Sequence, residues 1–283
     1  MLVSGMDILL KAHEGGYAVG AFNVSNLEMI QAAISAAEEE RSPIILQASQ
    51  SAIAYAGSEV LALMVRKMAE QASVPVALHL DHGTDWDVIM KCLRDGWTSV
   101  MFDGSKYPLE QNIEITNKII EIARPMGVSV EAELGKIGGV EDHIKVESRD
   151  ATMTDPDEAE EFVKRTNVDF FAIAIGNAHG VYKGDPELDF DRLKEIKQRV
   201  NIPIVLHGAS GISEADISTA VALGVNKINI DTDLRQAFQQ AMHKVVQDTP
   251  NVYDPRKMLT PTIKAIKEVV KTKIRMFGSN GRA

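Results

Sequence analysis

Two hydrophobic patterns alternate along the chain. Short runs rich in β-branched and other apolar residues, of the kind that forms buried strands, recur eight times. Between them, apolar residues are spaced three or four apart, as Leu27, Ile30 and Ile34 are, which places them on one face of a helix. Because strands that alternate with helices build parallel sheets, the pattern predicts an α/β fold. The strand candidates start near Ala18, Pro43, Pro75, Thr98, Gly127, Asp169, Ile202 and Val225.

The number of these units favours one closed domain. Eight β/α units suit a (β/α)8 barrel, the TIM barrel, which typically takes about 250 residues, and a doubly wound open sheet is the alternative. After the eighth strand the sequence predicts a helix over 234–246 and a last helix near 261–277, within a C-terminal helical extension of about residues 250–283. No linker rich in Pro, Gly or Ser divides the chain, so we expect a single domain over 1–283.

One interval departs from the regular spacing. Strand starts lie 23 to 33 residues apart, except for 42 residues between the fifth and the sixth. The extra residues, about 135–155, carry three glycines and many charges without clear periodicity. Because long loops in compact domains commonly have a function, this interval predicts a mobile loop that could act as a lid.

Composition narrows the class of protein. The chain is 283 residues long, 45% hydrophobic and 25% charged, which is typical of a soluble globular protein. A formal net charge of −10 opposes binding to a polyanion, so nucleic acid is not an expected partner. With no run of 18 apolar residues and no secretory signal pattern, we expect no membrane partner and a cytoplasmic location. The single cysteine, Cys92, excludes an internal disulfide, so any metal must be held by histidine and carboxylate.

Polar residues close all eight predicted strands. In a parallel barrel the active site is built at the carboxyl ends of the strands, so these residues are the candidates for chemistry. Strand ends also begin loops and are polar for that reason, but a barrel needs no such complete set for stability. The strand ends, in chain order, carry Asn23, Ser49, Asp81 with His82, Asp103, Glu133, Asn177 with His179, His207, and Asn229 with Asp231.

Three histidines stand at equivalent positions. His82, His179 and His207 end the third, sixth and seventh strands. Three neutral imidazoles suit Zn²⁺ and leave a fourth coordination position for water or substrate, which is the pattern of a catalytic zinc site. Any one of them alone would more often be an ordinary core or loop residue. His79, inside the third strand, is the main rival ligand.

Three carboxylates accompany the histidines. Asp81, next to His82, could orient a metal ligand or exchange a proton with a substrate. Asp103 and Glu133 end neighbouring strands, where they could form an alternative metal position, orient the histidines, or only make salt bridges at the barrel rim. The sequence leaves these roles open.

The loops after the seventh and eighth strands predict a phosphate site. Each precedes a helix, and helix N-termini offer unpaired N–H groups and partial positive charge to an anion. Gly180 and Lys183, after the sixth strand, could add an N–H group and a cation, whereas GASG alone is merely a turn. The residues of these two loops are Gly208, Ala209, Ser210, Asn229, Ile230, Asp231 and Thr232.

Six motifs in fixed order resemble a known family. They are LDHG, VEAELGKIGG, IGNAHGVYKG, VLHGASG, KINIDT and YDPRK, and they cover nearly the whole chain. In this respect the sequence resembles the class II fructose- and tagatose-bisphosphate aldolases. The resemblance implies a zinc-dependent (β/α)8 barrel that reversibly cleaves a ketose 1,6-bisphosphate to dihydroxyacetone phosphate and glyceraldehyde 3-phosphate.

The resemblance also implies roles for single residues. It implies that His82, His179 and His207 hold one catalytic zinc ion, and that Asp81 exchanges the proton of the C4 hydroxyl. Glu141 matches the loop glutamate that moves the C1 proton. Arg256 resembles an arginine that reaches a neighbouring subunit's site and binds the far phosphate. The positions that match substrate-binding residues are Asn23, Ser49, Gly180, Gly208, Ser210, Asn229 and Thr232.

The resemblance does not settle the substrate epimer. The stretch NIDTD, with its acidic Asp231, resembles fructose-bisphosphate members, whereas tagatose-bisphosphate members tend to have NVATE. We therefore expect fructose 1,6-bisphosphate, with tagatose 1,6-bisphosphate as the alternative. A monovalent cation (Na⁺ or K⁺) is a further candidate cofactor, and we expect a homodimer or homotetramer. A noncatalytic accessory subunit and a metal-dependent sugar-phosphate epimerase or hydrolase are the competing functions.

Overall fold

The structure, a computed structural model, describes residues 1–141, 144–147, 151–182, 184 and 186–283. The strands, in chain order, are β1 (Val19–Asn23), β2 (Ile44–Ser49), β3 (Val76–Gly83), β4 (Ser99–Phe102), β5 (Ser129–Leu134), β6 (Gly138–Glu141), β7 (Ile144–Val146), β8 (Phe170–Ile173), β9 (Ala178–His179), β10 (Ile204–Leu206) and β11 (Val225–Ile230). The helices are α1 (Gly5–Gly15), α2 (Leu27–Glu40), α3 (Gln50–Ala56), α4 (Ser58–Gln71), α5 (Trp86–Asp95), α6 (Leu109–Ala123), α7 (Pro156–Thr166), α8 (Phe190–Arg199), α9 (Glu214–Ala222), α10 (Thr232–Asp248) and α11 (Pro255–Met276).

Eight of the strands close into a barrel, as the sequence pattern predicts. Around the barrel the order is β1, β11, β10, β8, β5, β4, β3 and β2, and every neighbouring pair is parallel. The eight predicted strands are these eight, which confirms the closed barrel and excludes the open sheet. Their carboxyl ends therefore meet at one mouth, where the predicted site residues lie.

Local signals in the sequence begin and end the covering helices. The Asn26 side chain accepts a hydrogen bond from the N–H of Met29 at the start of α2, and Asp155 caps α7 in the same way, with Pro156 in its first turn. Gly96 ends α5 with a φ of 84°, a left-handed conformation that favours glycine. The apolar faces of these helices pack on the outside of the barrel, as the helical spacing predicts.

A second apolar cluster fills the barrel interior near the amino ends of the strands. Val19, Ala77, Phe170 and Val205 point into it and are completely buried. Helix α1 packs on the same cluster, and Leu9 is among its buried residues. The amino-terminal end of the barrel is thus closed by a helix that lies outside the eight β/α units.

Helix α11 differs from the sequence prediction. It begins at Pro255, not near Pro261, because Asp254 caps its first turn by accepting a hydrogen bond from the N–H of Arg256. Pro261 therefore lies inside the helix, where it cannot donate the usual backbone hydrogen bond. Nearby hydroxyl groups bond to carbonyls of this turn, including Thr262 Oγ1 to the Leu259 carbonyl at 2.7 Å.

The interval predicted as a loop, about 135–155, contains short strands. β6 and β7 pair antiparallel, and β6 also pairs with β9, which carries His179. A bridge between Lys136 and Thr152 joins the two ends of the interval. The small sheet thus places the predicted loop beside a candidate metal ligand, while its mobility stays a prediction. Across the described ranges, we find no helix with the length and apolar character needed to span a membrane.

Candidate metal centre and active site

Asp81 and His82 are consecutive, yet both face the barrel mouth. Side chains alternate between the two faces of a regular strand, so neighbours should point apart. His82 escapes this rule because its φ is 47°, a left-handed value that is uncommon for a residue other than glycine. The pairing of β3 with β4 shifts register at the same place. Such strained backbone costs of order 1–3 kcal/mol and clusters at functional sites.

The structure brings the three predicted zinc ligands together. One ring nitrogen from each of His82, His179 and His207 lies within 4.8 Å of the others. All three residues are buried, and the rings of His82 and His207 are nearly perpendicular, with centroids 4.6 Å apart. His82 lies in β3 and His207 directly follows β10, whereas His179 lies in β9 of the small sheet and not at the end of the sixth barrel strand as predicted. Imidazoles from three separate parts of the chain thus converge on one point.

The partners of two imidazoles fix which nitrogen carries the proton. His82 Nδ1 lies 3.0 Å from Asp103 Oδ2, and His207 Nε2 lies 2.8 Å from Glu131 Oε1. Because a carboxylate only accepts, those nitrogens must donate, which leaves lone pairs on His82 Nε2 and His207 Nδ1 when the rings are neutral. These two atoms face each other at 2.8 Å. Neither neutral ring has a proton to place between them, so the arrangement is complementary to a cation.

Burial shifts the pKa values of the ionisable groups around the His82–His207 pair. It lowers the pKa of His207 to about 4, so the ring is neutral at pH 7. Burial alone would raise the pKa of Glu131, but the Lys227 ammonium and hydrogen bonds from His207 and His79 hold it well below its usual range. Neutral imidazole is the form that binds metal.

A second set of ligand atoms shares His82. Its members are His82, Asp103 and Glu133, again within 4.8 Å of one another. Burial alone would raise the pKa of Asp103, but hydrogen bonds from His82 and Ser105 hold it below its usual value. Burial, reinforced by the Asp103 charge, raises the pKa of Glu133 well above its usual range. Both carboxylates are buried, so they do not form exposed salt bridges at the rim, while the alternative metal position stays a prediction.

The Asp81 carboxylate is held on both sides by amides. Asn23 Nδ2 donates to one oxygen at 2.9 Å and Asn229 Nδ2 donates to the other at 3.1 Å. Each amide is itself oriented, because Gln47 Nε2 donates to Asn23 Oδ1 at 2.7 Å and Lys227 Nζ donates to Asn229 Oδ1 at 2.8 Å. Asp81 is thus fixed next to the histidine cluster.

His79, the rival metal ligand, lies in neither set of ligand atoms within the described residues. Its Nδ1 bonds to Ser99 Oγ at 2.7 Å, and its Nε2 lies 3.3 Å from Glu131 Oε2. Because His79 is two residues before Asp81, it points into the barrel one layer below the mouth. His79 therefore lies beneath the site and supports it through its contacts with Ser99 and Glu131.

The loops predicted to bind phosphate adjoin each other. Ser210 Oγ accepts a hydrogen bond from the N–H of Asp233, in the first turn of α10, at 3.3 Å. Gly208 has a φ of 62°, and a Cβ there would lie 2.2 Å from the Ala178 carbonyl oxygen, so only glycine fits. The loop after β10 thus packs against the N-terminus of the helix that Thr232 begins. Ala209 and Ile230 are completely buried in the core.

Two cavities are lined by predicted site residues. One of about 850 Å³ is lined by His179, Gly180 and the small sheet. The other, of about 400 Å³, is lined by Asn23, Ser49 and Asp231. Asp231 is paired there with Arg235 at 2.7 Å. Four of the predicted substrate-binding residues thus line one of these two cavities: Gly180 lines the first, and Asn23, Ser49 and Asp231 line the second.

Three predicted residues are not brought into the site by described contacts. Lys183 lies outside the described residues. Glu141 ends β6, and its side chain also lies outside what the structure describes. Arg256 is paired with Asp254 at 2.9 Å and its side chain is 90% exposed. The roles expected for these residues stay predictions.

Four supporting residues were missed by sequence analysis, which read only the ends of strands. Glu131, Lys227, Gln47 and Tyr182 all contact the site, and Tyr182 Oη donates to the Gly208 carbonyl at 2.9 Å. The first three stand one strand repeat, which is two residues, before a predicted site residue. That repeat was the available signal, because it places them on the same inward face.

The fold and the site together define an α/β-barrel enzyme. The family model described as fructose-bisphosphate aldolase class-II matches residues 3–282. The chain therefore belongs to the class II fructose-bisphosphate aldolases, a family of aldehyde-lyases that is zinc-dependent in general.

Three similar proteins illustrate the match. A fructose-bisphosphate aldolase of Thermus caldophilus is 46% identical, with 100% of both chains covered. A sulfofructosephosphate aldolase of Alkalicoccus urumqiensis is 44% identical, covering 99% of this chain and 98% of that protein. The crystal structure of the YdjI aldolase from Escherichia coli K12 has a TM-score of 0.89 and 40% identity, with 100% of both chains covered.

Proposed function

We propose that this protein reversibly cleaves fructose 1,6-bisphosphate to dihydroxyacetone phosphate and glyceraldehyde 3-phosphate. The observation that carries the proposal is the contact between His82 Nε2 and His207 Nδ1 at 2.8 Å, with His179 beside them and Asp81 next in sequence to His82. Family membership and relatives named for this activity support it.

His82, His179 and His207 would hold the zinc ion. The donor set fits, because it consists of buried imidazoles, two of which are oriented by carboxylates. When bound, zinc would supply Lewis-acid stabilisation for the negative charge that breaking the C3–C4 bond leaves on the substrate. No lysine adduct is needed for that chemistry. Asp103 and Glu133 would offer the ion an alternative position.

Asp81 would take the proton of the C4 hydroxyl. As this O–H bond breaks, C4 becomes a carbonyl and the electrons of the C3–C4 bond remain on C3. The carboxylate is suited to this step because hydrogen bonds from Asn23 and Asn229 hold both of its oxygens in place. For the C1 proton of the three-carbon fragment, Glu141 is our candidate. In a Glu141→Ala variant we expect slow C1 exchange, and unchanged exchange would contradict this role.

The phosphate of the three-carbon half would lie between the loop after β10 and the N-terminus of α10. Gly208, Ser210 and Thr232 are the residues we assign to it, with Gly180 at the adjoining cavity. Ala209, Asn229, Ile230 and Lys183 are assigned to the same half from the sequence alone. Asn23, Ser49 and Asp231, around the other cavity, would contact the aldehyde half.

A direct assay tests the reaction and its substrate. Purified protein is incubated with fructose or tagatose 1,6-bisphosphate, and triose phosphate release is measured with and without a chelator. We expect release to be faster from the fructose epimer, to stop on chelation and to return with zinc. Faster release from the tagatose epimer would reverse the substrate assignment. No release from either substrate, or a lysine adduct trapped by borohydride, would contradict the proposed function.

Subunit association belongs to the same proposal. Arg256 is exposed at the start of α11, as expected of a residue that binds the far phosphate in a neighbouring subunit of a homodimer or homotetramer. Light scattering tests the assembly, and Arg256→Ala should raise KM more than it lowers kcat. Assays with Na⁺, K⁺ or neither test the monovalent cation. A cytoplasmic location, expected from the sequence, stays a prediction that cell fractionation tests.

A further inference from the structure

Lys227 lies inside the barrel beneath the site and contacts two different supports. It is completely buried on β11. Its Nζ lies 2.9 Å from Glu131 Oε2 and 2.8 Å from Asn229 Oδ1. Burying an ammonium group is costly unless it is paired and hydrogen-bonded, and these two contacts meet that condition. The same two contacts also connect Lys227 to the Asp81 carboxylate and to the His207 imidazole.

The first path leads to Asp81. An ammonium group can only donate, so the Asn229 side chain must turn its carbonyl oxygen towards Lys227. Its amide nitrogen is then turned towards Asp81 Oδ1, to which it donates at 3.1 Å. Without the ammonium, the amide could rotate and place its oxygen against the carboxylate. Lys227 therefore selects the orientation in which Asn229 supports Asp81.

The second path leads to the histidine cluster. Lys227 Nζ pairs with Glu131 Oε2 at 2.9 Å, and Glu131 Oε1 accepts the Nε2–H of His207 at 2.8 Å. This bond fixes the tautomer of His207 and turns its Nδ1 lone pair towards His82. Lys227 thus acts on Asp81 through Asn229 and on His207 through Glu131.

We propose that Lys227 is a positioning residue that fixes the orientations of the Asp81 carboxylate and the His207 imidazole together. The inference rests on the proposed function for the roles of those two groups. A lysine that only neutralised Glu131 would contribute to stability and leave zinc affinity and the separate reaction steps unchanged. A positioning role and a role that only neutralises Glu131 therefore predict different results in these measurements.

The test compares Lys227→Met with a matched control. Methionine keeps much of the side-chain volume and removes the charge. Lys273→Met is the control for zinc affinity, because Lys273, on α11, is also a buried lysine, only 9% exposed, but pairs with Asp233 at 2.7 Å and not with Glu131. A double variant, Lys227→Met with Glu131→Gln, removes both members of the buried ion pair, so that no charge is left unpaired if the single variant does not fold.

Two measurements are made on each folded variant. Zinc affinity is measured by competition with a coloured chelator, and a loss of about 10- to 100-fold is expected in the Lys227 variants, as for other partners of metal-bound histidines. At saturating zinc, fructose 1,6-bisphosphate cleavage is compared with the exchange of the dihydroxyacetone phosphate C1 proton in D₂O. Cleavage should fall about 10-fold more than exchange, because only cleavage uses Asp81 as the proton acceptor.

The outcomes separate this inference from the proposed function. If the Lys227 variants bind zinc as Lys273→Met does and keep the wild-type ratio of cleavage to exchange, Lys227 has no positioning role. The zinc competition needs no substrate. If the wild-type protein cleaves neither ketose bisphosphate, the proposed function fails, while the zinc measurement still decides whether Lys227 orients His207.

Discussion

The two ends of the barrel are built from the same strands and are filled in opposite ways. Near the amino ends, Val19, Ala77 and Val205 meet α1 in an apolar cluster. Two to four residues further along the same strands, at the carboxyl ends, stand Asn23, Asp81 and His207. The inward face of a strand repeats every two residues, so one strand supplies both layers. Stability and chemistry are thus separated along the strand and not between domains.

The upper layer is polar but closely paired. Across it, Lys227 forms an ion pair with Glu131, which accepts a hydrogen bond from His207, and His79 lies alongside. Hydrogen bonds and ion pairs restrict the orientations of these buried side chains, although Glu133 Oε2 has no hydrogen-bond partner among the described residues. The upper half therefore has positional order of the kind that packing gives to the lower half, and this order is what a metal site requires.

The largest effect is expected from removing a metal ligand at the upper end. His207→Ala should lose bound zinc and triose phosphate release together, because two histidines and a water hold zinc less well than three histidines. Metal analysis and the cleavage assay measure this directly. His243→Ala, an exposed histidine on α10, is the control. A variant that retained stoichiometric zinc would show that His207 is not a ligand.

The next effect separates the carboxylate from the metal. Asp81→Ala should keep zinc but slow C3–C4 cleavage by about 10²- to 10⁴-fold, the usual contribution of a positioned general base. Single-turnover kinetics and metal analysis on the same sample measure the two properties. The exposed Asp87, on α5, provides the matched control as Asp87→Ala. Full turnover by Asp81→Ala would end its assignment.

The lower end should respond in the opposite way. Leu9→Ala removes a completely buried side chain of α1 and should lower the free energy of unfolding by about 2–5 kcal/mol. The kinetic constants of the folded protein should be unchanged. Leu10→Ala, next in sequence but 43% exposed, should cost far less. A large change in kcat at unchanged stability would contradict the separation of the two ends.

The smallest effect concerns the apolar layer outside the barrel. Burial raises the pKa of the Cys92 thiol on α5 to about 12. At pH 8 the thiol form therefore prevails, and a water-soluble disulfide reagent should not react with the native protein. One equivalent should react once urea unfolds the chain. Rapid reaction of the native protein would show that this layer opens more readily than the structure indicates.

The site residues at the strand ends could be predicted from the sequence, whereas those in the layer beneath them were not predicted. The eight strands and the convergence of His82, His179 and His207 follow from periodicity and from the geometry of a parallel barrel. The predicted start of α11, near residue 261, is wrong, because Asp254 with Pro255 caps and begins the helix earlier. Helix α1 closes the barrel from outside the repeating units, and no pattern in the sequence predicts that position.

By itself, the sequence determined the kind of fold, the mouth at which polar residues gather, and the residue types available there. Those properties depend on short-range periodicity, which is visible in the amino-acid sequence itself. Only the tertiary structure decided that Lys227 lies between Glu131 and Asn229, that His79 supports the site without joining either ligand set, and that His82 turns back to face His207. These depend on contacts across the barrel and on one left-handed backbone angle, which arise only when distant strands close together.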